Sequence, residues 1–148
     1  YKILMNGQSC FGGSLKWNLP KDNKPGEWHE VQGLLKQGHW GLHFTTEPIC
    51  WWLKGCQIFE AEVEGMESEP DQFGAFVCRK ARLVRQLTNE DLFAFNIFST
   101  GKHFVEKGYL IAYGDAEITV RPSVIVKSFD KSKIIVKSKI VEKKSNAN

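Results

Sequence analysis

The alternation of hydrophobic and polar positions along the chain predicts a protein built mainly from β-strands. In "QIFEAEVE" the residues Phe59, Ala61 and Val63 fall on one side of an extended chain, and glutamates fall on the other. The segments "YKILM" and "HWGLHF" are predicted as further strands. The segment "FVCRKARLVRQL" carries four basic residues. We therefore expect it to pair with the glutamate strand, because opposite charges across a ladder are favourable.

Two short helices are predicted between the strands. The first lies near 47–54, where Thr45 or Thr46 can cap a helix that ends at Gly55. The second lies near 89–98, within "TNEDLFAFNIFSTG". Its opening residues have the spacing of a capping box, and its apolar residues share one helical face up to a terminating glycine.

The region from residue 118 onward alternates most regularly. Its even positions include seven valine and isoleucine residues, and its odd positions include one arginine and six lysines. Similar residues also recur at intervals of eight, as in Ile118, Val126 and Ile134. An eight-residue quasi-repeat of constant parity predicts small stacked strands, arranged either as a narrow solenoid or as a meander.

Together these elements predict an α+β fold. The fold is mainly antiparallel β-sheet, with two short helices and a C-terminal segment of stacked strands. We expect a mixed α/β globular domain over residues 1–105 and a basic β-repeat segment docked on it over residues 106–142. Residues 143–148 are predicted to form a frayed tail.

Composition and charge add a division along the chain. The 148 residues are 42% hydrophobic and 25% charged, which is typical of a folded globular protein. The net charge of +3 is the sum of a basic and an acidic part of the chain. Residues 121–148 carry eight basic and two acidic residues, whereas residues 1–120 carry twelve basic and fifteen acidic residues. An aromatic front and a basic tail suggest two separate roles.

The sequence argues against membrane association, secretion and metal binding. No apolar run approaches the roughly 20 residues that cross a bilayer, and no signal-peptide pattern opens the chain. We therefore expect no membrane association and a cytoplasmic location in a bacterial host cell. The cysteines form no C-x-x-C pair, so we expect buried reduced thiols and no metal site. They are Cys10, Cys50, Cys56 and Cys78.

The segments "GLHFTT", "EPICWWL" and "IFEAEVEG" resemble parts of ADP-ribosyltransferase-type domains. In that family one strand supplies a polar residue near the nicotinamide, a second carries a Ser/Thr patch, and a later strand carries a catalytic glutamate. The resemblance implies NAD as the cofactor. It also implies an aromatic stacking surface and a carboxylate that stabilises an oxocarbenium-like sugar.

Carried onto this chain, the resemblance implies specific site residues. Thr45 and Thr46 match the Ser/Thr patch, and the first strand offers Lys2 and Asn6 where the family has an arginine or a histidine. Glu60 and Glu62 resemble the paired glutamates, although they directly follow the helix rather than lie on a later strand. The candidate ligand-binding residues are Asn6, His43, Thr45, Thr46 and Trp51, and the catalytic candidates are Glu60 and Glu62.

A second resemblance covers most of the chain. Its elements are a "G-x-S-C-x-G-G" loop at residues 7–13, "W-x-L-P" at 17–20, "G-x-W" at 26–28 and "G-L-H-x-T" at 41–45, followed by the alternating tail. In these features the chain resembles a group of uncharacterised prokaryotic and phage proteins. The resemblance implies a phage or bacterial source and no particular reaction.

The candidate residues also have structural interpretations, which the sequence favours. The threonines are typical of a helix cap, and tryptophans such as Trp51 are typical core residues. His43 stands among apolar neighbours and is predicted to be a hydrogen-bonded structural histidine. The alternating glutamates are typical of the solvated face of a strand.

The lysines of the tail have two interpretations of equal standing. Lysines protect sheet edges against aggregation, and rows of lysines on one surface also bind polyanions such as nucleic acid. The candidate polyanion-binding residues are Lys127, Lys131, Lys133, Lys137 and Lys139.

The sequence favours a non-enzymatic interaction module of phage or prokaryotic origin. Such a module would bind a host or phage protein, or nucleic acid through its basic tail, and would act in counter-defence against a host factor. It requires no cofactor, and this interpretation is compatible with an oligomer. The alternatives are a divergent NAD-dependent ADP-ribosyltransferase and a structural or assembly component of a virion.

Overall fold

The computed structural model describes residues 1–138 and is built mainly from β-sheet, with 44% strand and 6% helix. The prediction of a mainly β protein is confirmed. The chain divides into two compact units, of which the first ends at Asp91 and the second begins at Leu92. The sequence placed this division after residue 105. Lys139 and the predicted frayed tail lie outside the described residues.

The first unit holds six strands and a 3₁₀ turn. It also holds the start of a short α-helix, which crosses the boundary at Asp91 and ends at Phe93. No helix among residues 1–138 has the length and hydrophobicity needed to cross a membrane. The elements are β1 (Lys2–Met5), β2 (Gln8–Ser9), β3 (His29–Glu30), β4 (Leu42–Thr45), a 3₁₀ turn (Pro48–Cys50), β5 (Gln57–Met66), β6 (Ala75–Gln86) and α1 (Asn89–Phe93).

The segment near 47–54 does not form the helix that the sequence predicts. It contains a single 3₁₀ turn, in which the amide of Cys50 donates to the Glu47 carbonyl and the amide of Trp51 donates to the Pro48 carbonyl. The chain then leaves the helical conformation, and Gly55 adopts a positive φ of 88° before β5. The eleven residues that connect β4 to β5 therefore contain one short helical turn in place of the predicted helix.

The second predicted helix is present but shorter than 89–98. Its capping box is confirmed, because the Thr88 amide donates to Asp91 Oδ2 at 2.8 Å and the Asp91 amide donates to Thr88 Oγ1 at 3.1 Å. The helix ends at Phe93, and Asn96 has the left-handed φ of 59° that a right-handed helix does not tolerate. Ile97–Phe98 is consequently a strand.

The first unit is an antiparallel sheet that curls into a half-barrel. The strand order is β2-β1-β5-β6-β3, and β4 also pairs with β6. The far ends of the sheet approach each other, because Tyr1 and Thr45 exchange backbone hydrogen bonds of 2.7 and 3.0 Å. This contact brings the end of β4 beside the start of β1. The interior of the curl holds a cluster that includes Trp17, Phe44 and Phe76.

The pairing of the glutamate strand with the arginine-rich strand is confirmed. In the β5–β6 ladder Glu60 lies opposite Arg85 and Glu62 lies opposite Arg82. Salt bridges of 2.7 and 2.9 Å join the side chains of these pairs. The alternate residues of β5 pack against the core cluster, as their hydrophobicity predicts.

A lysine is buried where the half-barrel closes. Lys2 is only 7% exposed, and its Nζ donates to the His43 carbonyl at 2.7 Å. The ammonium also lies 5.2 Å from the ring centre of Trp17 and 5.4 Å from that of Phe44, within the range of cation–π attraction. Burial nevertheless lowers the pKa of Lys2 from 10.5 to about 8, because an apolar environment disfavours the charged form.

The strands of the second unit form two parallel sheets within residues 92–138. One has the order β8-β10-β12 and the other β7-β9-β11, so successive strands from β7 onward belong to alternate sheets. The strands are β7 (Ile97–Phe98), β8 (Lys102–Val105), β9 (Tyr109–Ala112), β10 (Glu117–Val120), β11 (Ile125–Ser128) and β12 (Lys133–Val136).

The eight-residue quasi-repeat has a structural counterpart in this alternation. Ile118 and Ile134 are direct partners on β10 and β12, whereas Val126 lies on β11 in the other sheet. Two intervals of eight residues therefore separate neighbours in one sheet. Neighbouring strands of a meander run antiparallel, so the parallel pairing rules out that alternative for the described residues. The inward residues of both sheets pack in a cluster around Leu110 and Ile118.

Replacing Lys2 with methionine should raise the free energy of unfolding by about 1–3 kcal/mol at pH 7, because an apolar chain of similar size avoids the cost of burying a charge. The folded-state pKa of Lys2 is lowered to about 8, so the cost is greatest below pH 8 and vanishes as the unfolded lysine deprotonates near 10.5. The stabilisation should therefore shrink as pH rises through this range.

Urea unfolding of Lys2→Met and the unsubstituted protein at a series of pH values measures this difference. The exposed Lys36→Met serves as the control and should show no such trend. A loss of stability in Lys2→Met would mean that the carbonyl and ring contacts outweigh the cost of burial.

Candidate functional site

Thr45 has a structural role in the first unit. Its side chain is 3% exposed. Its Oγ1 accepts a hydrogen bond from the Glu47 amide at 2.9 Å and donates to the Phe73 carbonyl at 3.3 Å. The hydroxyl thus holds the turn after β4 and joins it to the loop before β6. The predicted role of Thr45 as a helix cap is wrong, because the 3₁₀ turn begins after Glu47 without a side-chain cap and Thr45 instead stabilises the turn after β4.

Trp51 is hydrogen-bonded to the same loop as Thr45, so two of the predicted ligand-binding residues lie close together. Its indole Nε1 donates to the Phe73 carbonyl at 3.0 Å, the same oxygen that Thr45 contacts. Its ring meets Phe11 of the glycine-rich loop edge to face, with centroids 5.1 Å apart. Thr46 is exposed, and its amide donates to the Gly74 carbonyl. The polar groups of this region therefore fasten loops to one another.

His43 is a structural histidine, as its apolar neighbours predict. Its Nδ1 donates to the Gly41 carbonyl at 3.1 Å, and its Nε2 accepts from the Gly38 amide at 2.8 Å. Both ring nitrogens are thus used, and the arrangement requires the neutral ring. Burial lowers the pKa of His43 below its ordinary 6.5, which favours the same neutral form.

The remaining candidates of the first unit do not join this group through any contact among the described residues. Asn6 is exposed and adopts a left-handed φ of 53° in the turn between β1 and β2. Glu60 and Glu62 are held by Arg85 and Arg82 on the solvent side of the sheet. Their ion pairs occupy the carboxylates that the transferase resemblance assigned to catalysis.

The lysines of the second unit are distributed over both of its sheets. Lys127 lies on β11, and Lys133 lies on β12 in the other sheet. Lys131 lies in the turn between these strands, and Lys137 directly follows β12. All four are exposed. Because β11 and β12 belong to different sheets, these four lysines do not form the predicted rows on one surface.

The outer face of the β8–β10–β12 sheet instead carries three short rows. The inward positions of these strands are filled by apolar residues such as Val105, Ile118 and Ile134, so the alternate residues face outward. The first two rows follow the strand register, and backbone bonds from Arg121 to Val105 and from Lys137 to Val120 extend the register to the third. The rows are Lys102, Glu117 and Lys133; Phe104, Thr119 and Ile135; and Glu106, Arg121 and Lys137.

Two surface hollows adjoin the third row and share Arg121 and Ser138. The larger, of about 590 Å³, is also lined by Glu106, Lys107, Pro122 and Ser123. The smaller, of about 400 Å³, is also lined by Phe104, Thr119 and Lys137. We call the two hollows together the Arg121 groove. It lies where the carboxyl ends of three parallel strands meet, so the residues that follow each strand converge there.

Arg121 is held in place between the hollows. Its Nη1 donates to the carbonyls of Lys137 and Ser138 at 3.3 and 3.0 Å. Its guanidinium carbon lies 5.2 Å from the ring centre of Phe104, which is 54% exposed. The buried Nε has no hydrogen-bond partner among the described residues. A guanidinium fixed in this way loses little side-chain entropy when it meets an anion.

The groove suits the recognition of an anionic group next to an apolar one. Lys107, Arg121 and Lys137 supply positive charge, and Phe104 supplies an exposed aromatic surface. Serine and threonine hydroxyls in the lining add neutral hydrogen-bonding groups. Aromatic and arginine side chains are frequent in the parts of interfaces that contribute most to affinity.

Residues 1–138 contain no group of three or more histidine, cysteine, aspartate or glutamate residues arranged to hold a metal ion. The four cysteines are free thiols. Cys78 is buried as predicted, but Cys50 is exposed and Cys10 is only half-buried.

Phe104, Lys107 and Arg121 are not predicted by the sequence to lie on one surface. The useful signal was the spacing of about two repeats, since Glu106, Arg121 and Lys137 occupy successive positions in the parallel register. Alternation alone assigned residues to faces and did not distinguish one sheet from two.

No protein-family model, curated protein sequence or solved structure matches this chain.

Thr45→Val should lower the free energy of unfolding by about 1–2 kcal/mol, because it removes the hydroxyl that satisfies the Glu47 amide while keeping the shape of the side chain. Thr45→Ser, which keeps the hydroxyl, should retain most of this stability. Chemical denaturation measures both variants. Thr46→Val is the control at an exposed position, and an equal effect of the two valine substitutions would contradict the structural role of Thr45.

Acid should destabilise the protein partly through His43. Because the folded-state pKa of His43 is lowered, its contribution is fully present above the unfolded value of 6.5 and is lost as pH falls below it. His43→Asn should therefore show a smaller loss of stability than the unsubstituted protein between about pH 7.5 and pH 5.

The position of the His43 ring resonances during an NMR titration checks the direction of the pKa shift directly. His29, whose pKa burial also lowers, remains in both proteins and cancels in the comparison. An unchanged acid dependence in His43→Asn would show that His43 is not the group responsible.

Proposed function

We propose that the protein is a non-enzymatic interaction module of phage or prokaryotic origin that binds an acidic protein partner at the Arg121 groove. The proposal includes action on a host factor, such as counter-defence, as the biological setting. The observation that carries it is the position of Arg121. Its guanidinium is held between two hollows, beside an exposed Phe104 and close to Lys107 and Lys137.

The pattern of charges favours a protein partner over nucleic acid. On the outer face, Glu117 stands between Lys102 and Lys133, and Glu106 stands beside Arg121. A phosphate backbone carries negative charge without interruption, so these carboxylates would repel it. A protein can place individual charges to match a mixed surface, and such complementarity selects the partner.

We also propose that the second unit is a short solenoid. Its support is the parallel register, in which partners such as Ile97 and Ile111, or Glu117 and Lys133, lie 14 to 16 residues apart. Each such interval makes one turn through both sheets. A stack of this kind presents the ends of its strands as a continuous surface, which is where the groove lies.

Arg121→Gln tests the proposed function. A short oligoglutamate peptide serves as the acidic probe, with single-stranded and double-stranded DNA as competing probes. We expect the substitution to weaken peptide binding about tenfold, since losing one fixed charge contact of this kind costs about 1.4 kcal/mol. Binding is measured by fluorescence anisotropy at several salt concentrations.

The matched control is Lys127→Gln, which removes one positive charge from the other sheet of the same unit. It should have a much smaller effect on peptide affinity. Thermal unfolding of each variant identifies any loss caused by misfolding. Tighter binding of DNA than of peptide, with dependence on Arg121, would replace the acidic protein with a nucleic acid partner. Equal effects of the two substitutions would contradict the assignment to the groove.

A further inference from the structure

We propose that the outer edge of β12 accepts an additional β-strand from the partner, and that this strand carries acidic residues facing Lys133 and Lys137. The inference rests on the proposed function and specifies how the acidic partner is held. Extended segments commonly bind by adding to a sheet edge, where backbone hydrogen bonds provide affinity and side chains provide selectivity.

β12 presents one side of its backbone to a new strand. Among the described residues, its one sheet neighbour is β10. The amides of Lys133 and Lys137 donate to the Ala116 and Val120 carbonyls on the β10 side. Because successive amides of a strand point in opposite directions, those of Ile134 and Val136 point toward the outer edge.

The apolar surface at this edge is also incompletely covered. Val136 continues the inward row of Val105 and Val120, which are buried, yet it is 62% exposed. Ile134 is partly buried against the same cluster. A further strand with apolar inward residues would cover both side chains.

The charge order of the rows indicates which strand fits. Across β8, β10 and β12 the first row reads Lys102, Glu117, Lys133, so each neighbour in it carries the opposite charge. Opposite charges stabilise directly facing positions, and like charges destabilise them. The next residue in this row should therefore be acidic. The same applies beside Lys137 at the end of the third row.

The outward position between the two lysines of β12 determines the middle residue of the inferred strand. Ile135 lies between the two lysines on the outward side of β12, so an apolar or threonine residue suits the position beside it. The inferred strand reads acidic, apolar, apolar or threonine, apolar, acidic. Four residues of this order already pair with β12 on its other side, as Glu117, Ile118, Thr119 and Val120 of β10.

A second copy of the chain fits this edge poorly. Antiparallel pairing of two β12 strands about Ile135 would set Lys133 of each copy opposite Lys137 of the other. Such facing lysines repel. Nucleic acid has no amide backbone with which to continue the ladder. The edge therefore favours an acidic polypeptide.

The test uses a synthetic peptide with the core Glu-Ile-Thr-Val-Glu between flexible polar flanks. Fluorescence anisotropy with the full chain should give saturable binding. Replacing both glutamates with lysines should weaken binding at least about tenfold, since it reverses the charges. Replacing the central threonine with proline should have a similar effect, since in a strand added parallel to β12, as β10 is, it removes a ladder donor.

Reversing the charges on both the protein and the peptide gives a test that a loss of stability could not mimic. In the double variant Lys133→Glu and Lys137→Glu, the preference should reverse in favour of the lysine peptide. The matched control is Lys102→Glu with Lys127→Glu, which makes the same change in net charge away from the edge of β12. This control should keep the original preference for the acidic peptide.

Amide hydrogen exchange locates the contact. On binding, the amides of Ile134 and Val136 should exchange at least about tenfold more slowly, whereas those of Lys133 and Lys137, already bonded toward β10, should change little. Peptide binding without this alternating protection would overturn the added strand. The same conclusion would follow if single-stranded DNA protected the two amides equally well.

Two other occupants would also contradict the proposal. Protection of Ile134 and Val136 that appears with rising protein concentration and no peptide would assign the edge to a second copy. Peptide binding that occurs only in a chain shortened after Ser138 would assign it to the chain's own following segment. If oligoglutamate still binds with dependence on Arg121 while the core peptide does not, the proposed function stands and this inference fails.

Discussion

The backbone hydrogen bonds that hold β8, β10 and β12 in parallel register determine what the second unit presents to solvent. Register decides which residues are neighbours, and in a parallel sheet the residues that follow each strand meet at one end. Arg121, Lys107 and Lys137 are distant in sequence but converge there for this reason. A shift of one residue in β8 or β12 would turn the lysine of that strand inward and its valine outward. The core and the candidate groove thus depend on the same register.

The first unit uses its polar residues differently. Lys2 and Thr45 each join two separate segments of the half-barrel, and His43 holds the turn that leads into β4. The low pKa of Lys2 and the neutral ring of His43 follow from burial in those positions. The ion pairs of Glu60 and Glu62 act in the same way across a strand ladder. Polar groups that the resemblance to transferases would place in a pocket are thus engaged in holding the fold.

Local patterns predicted those elements whose signal lies within a few residues. The alternation of β5, its charge pairing with β6 and the capping box at Thr88 are all of this kind. The helix predictions were too long because apolar spacing does not reveal where tertiary contacts require a turn. The chain leaves the helix at Asn96 and enters β7, whose two residues gain hydrogen bonds from β9. Such a gain is invisible in the segment itself.

The sequence by itself determined that this protein is mainly β-sheet, that its glutamate and arginine strands pair, and that its second half repeats with constant parity. These properties follow from side-chain alternation, which any extended chain must obey. Only the tertiary structure decided that the repeat alternates between two parallel sheets, that the lysines separate between them, and that Arg121 lies beside Phe104. Alternation fixes the side of a strand on which a residue lies, whereas the identity of the neighbouring strand depends on pairing between distant segments.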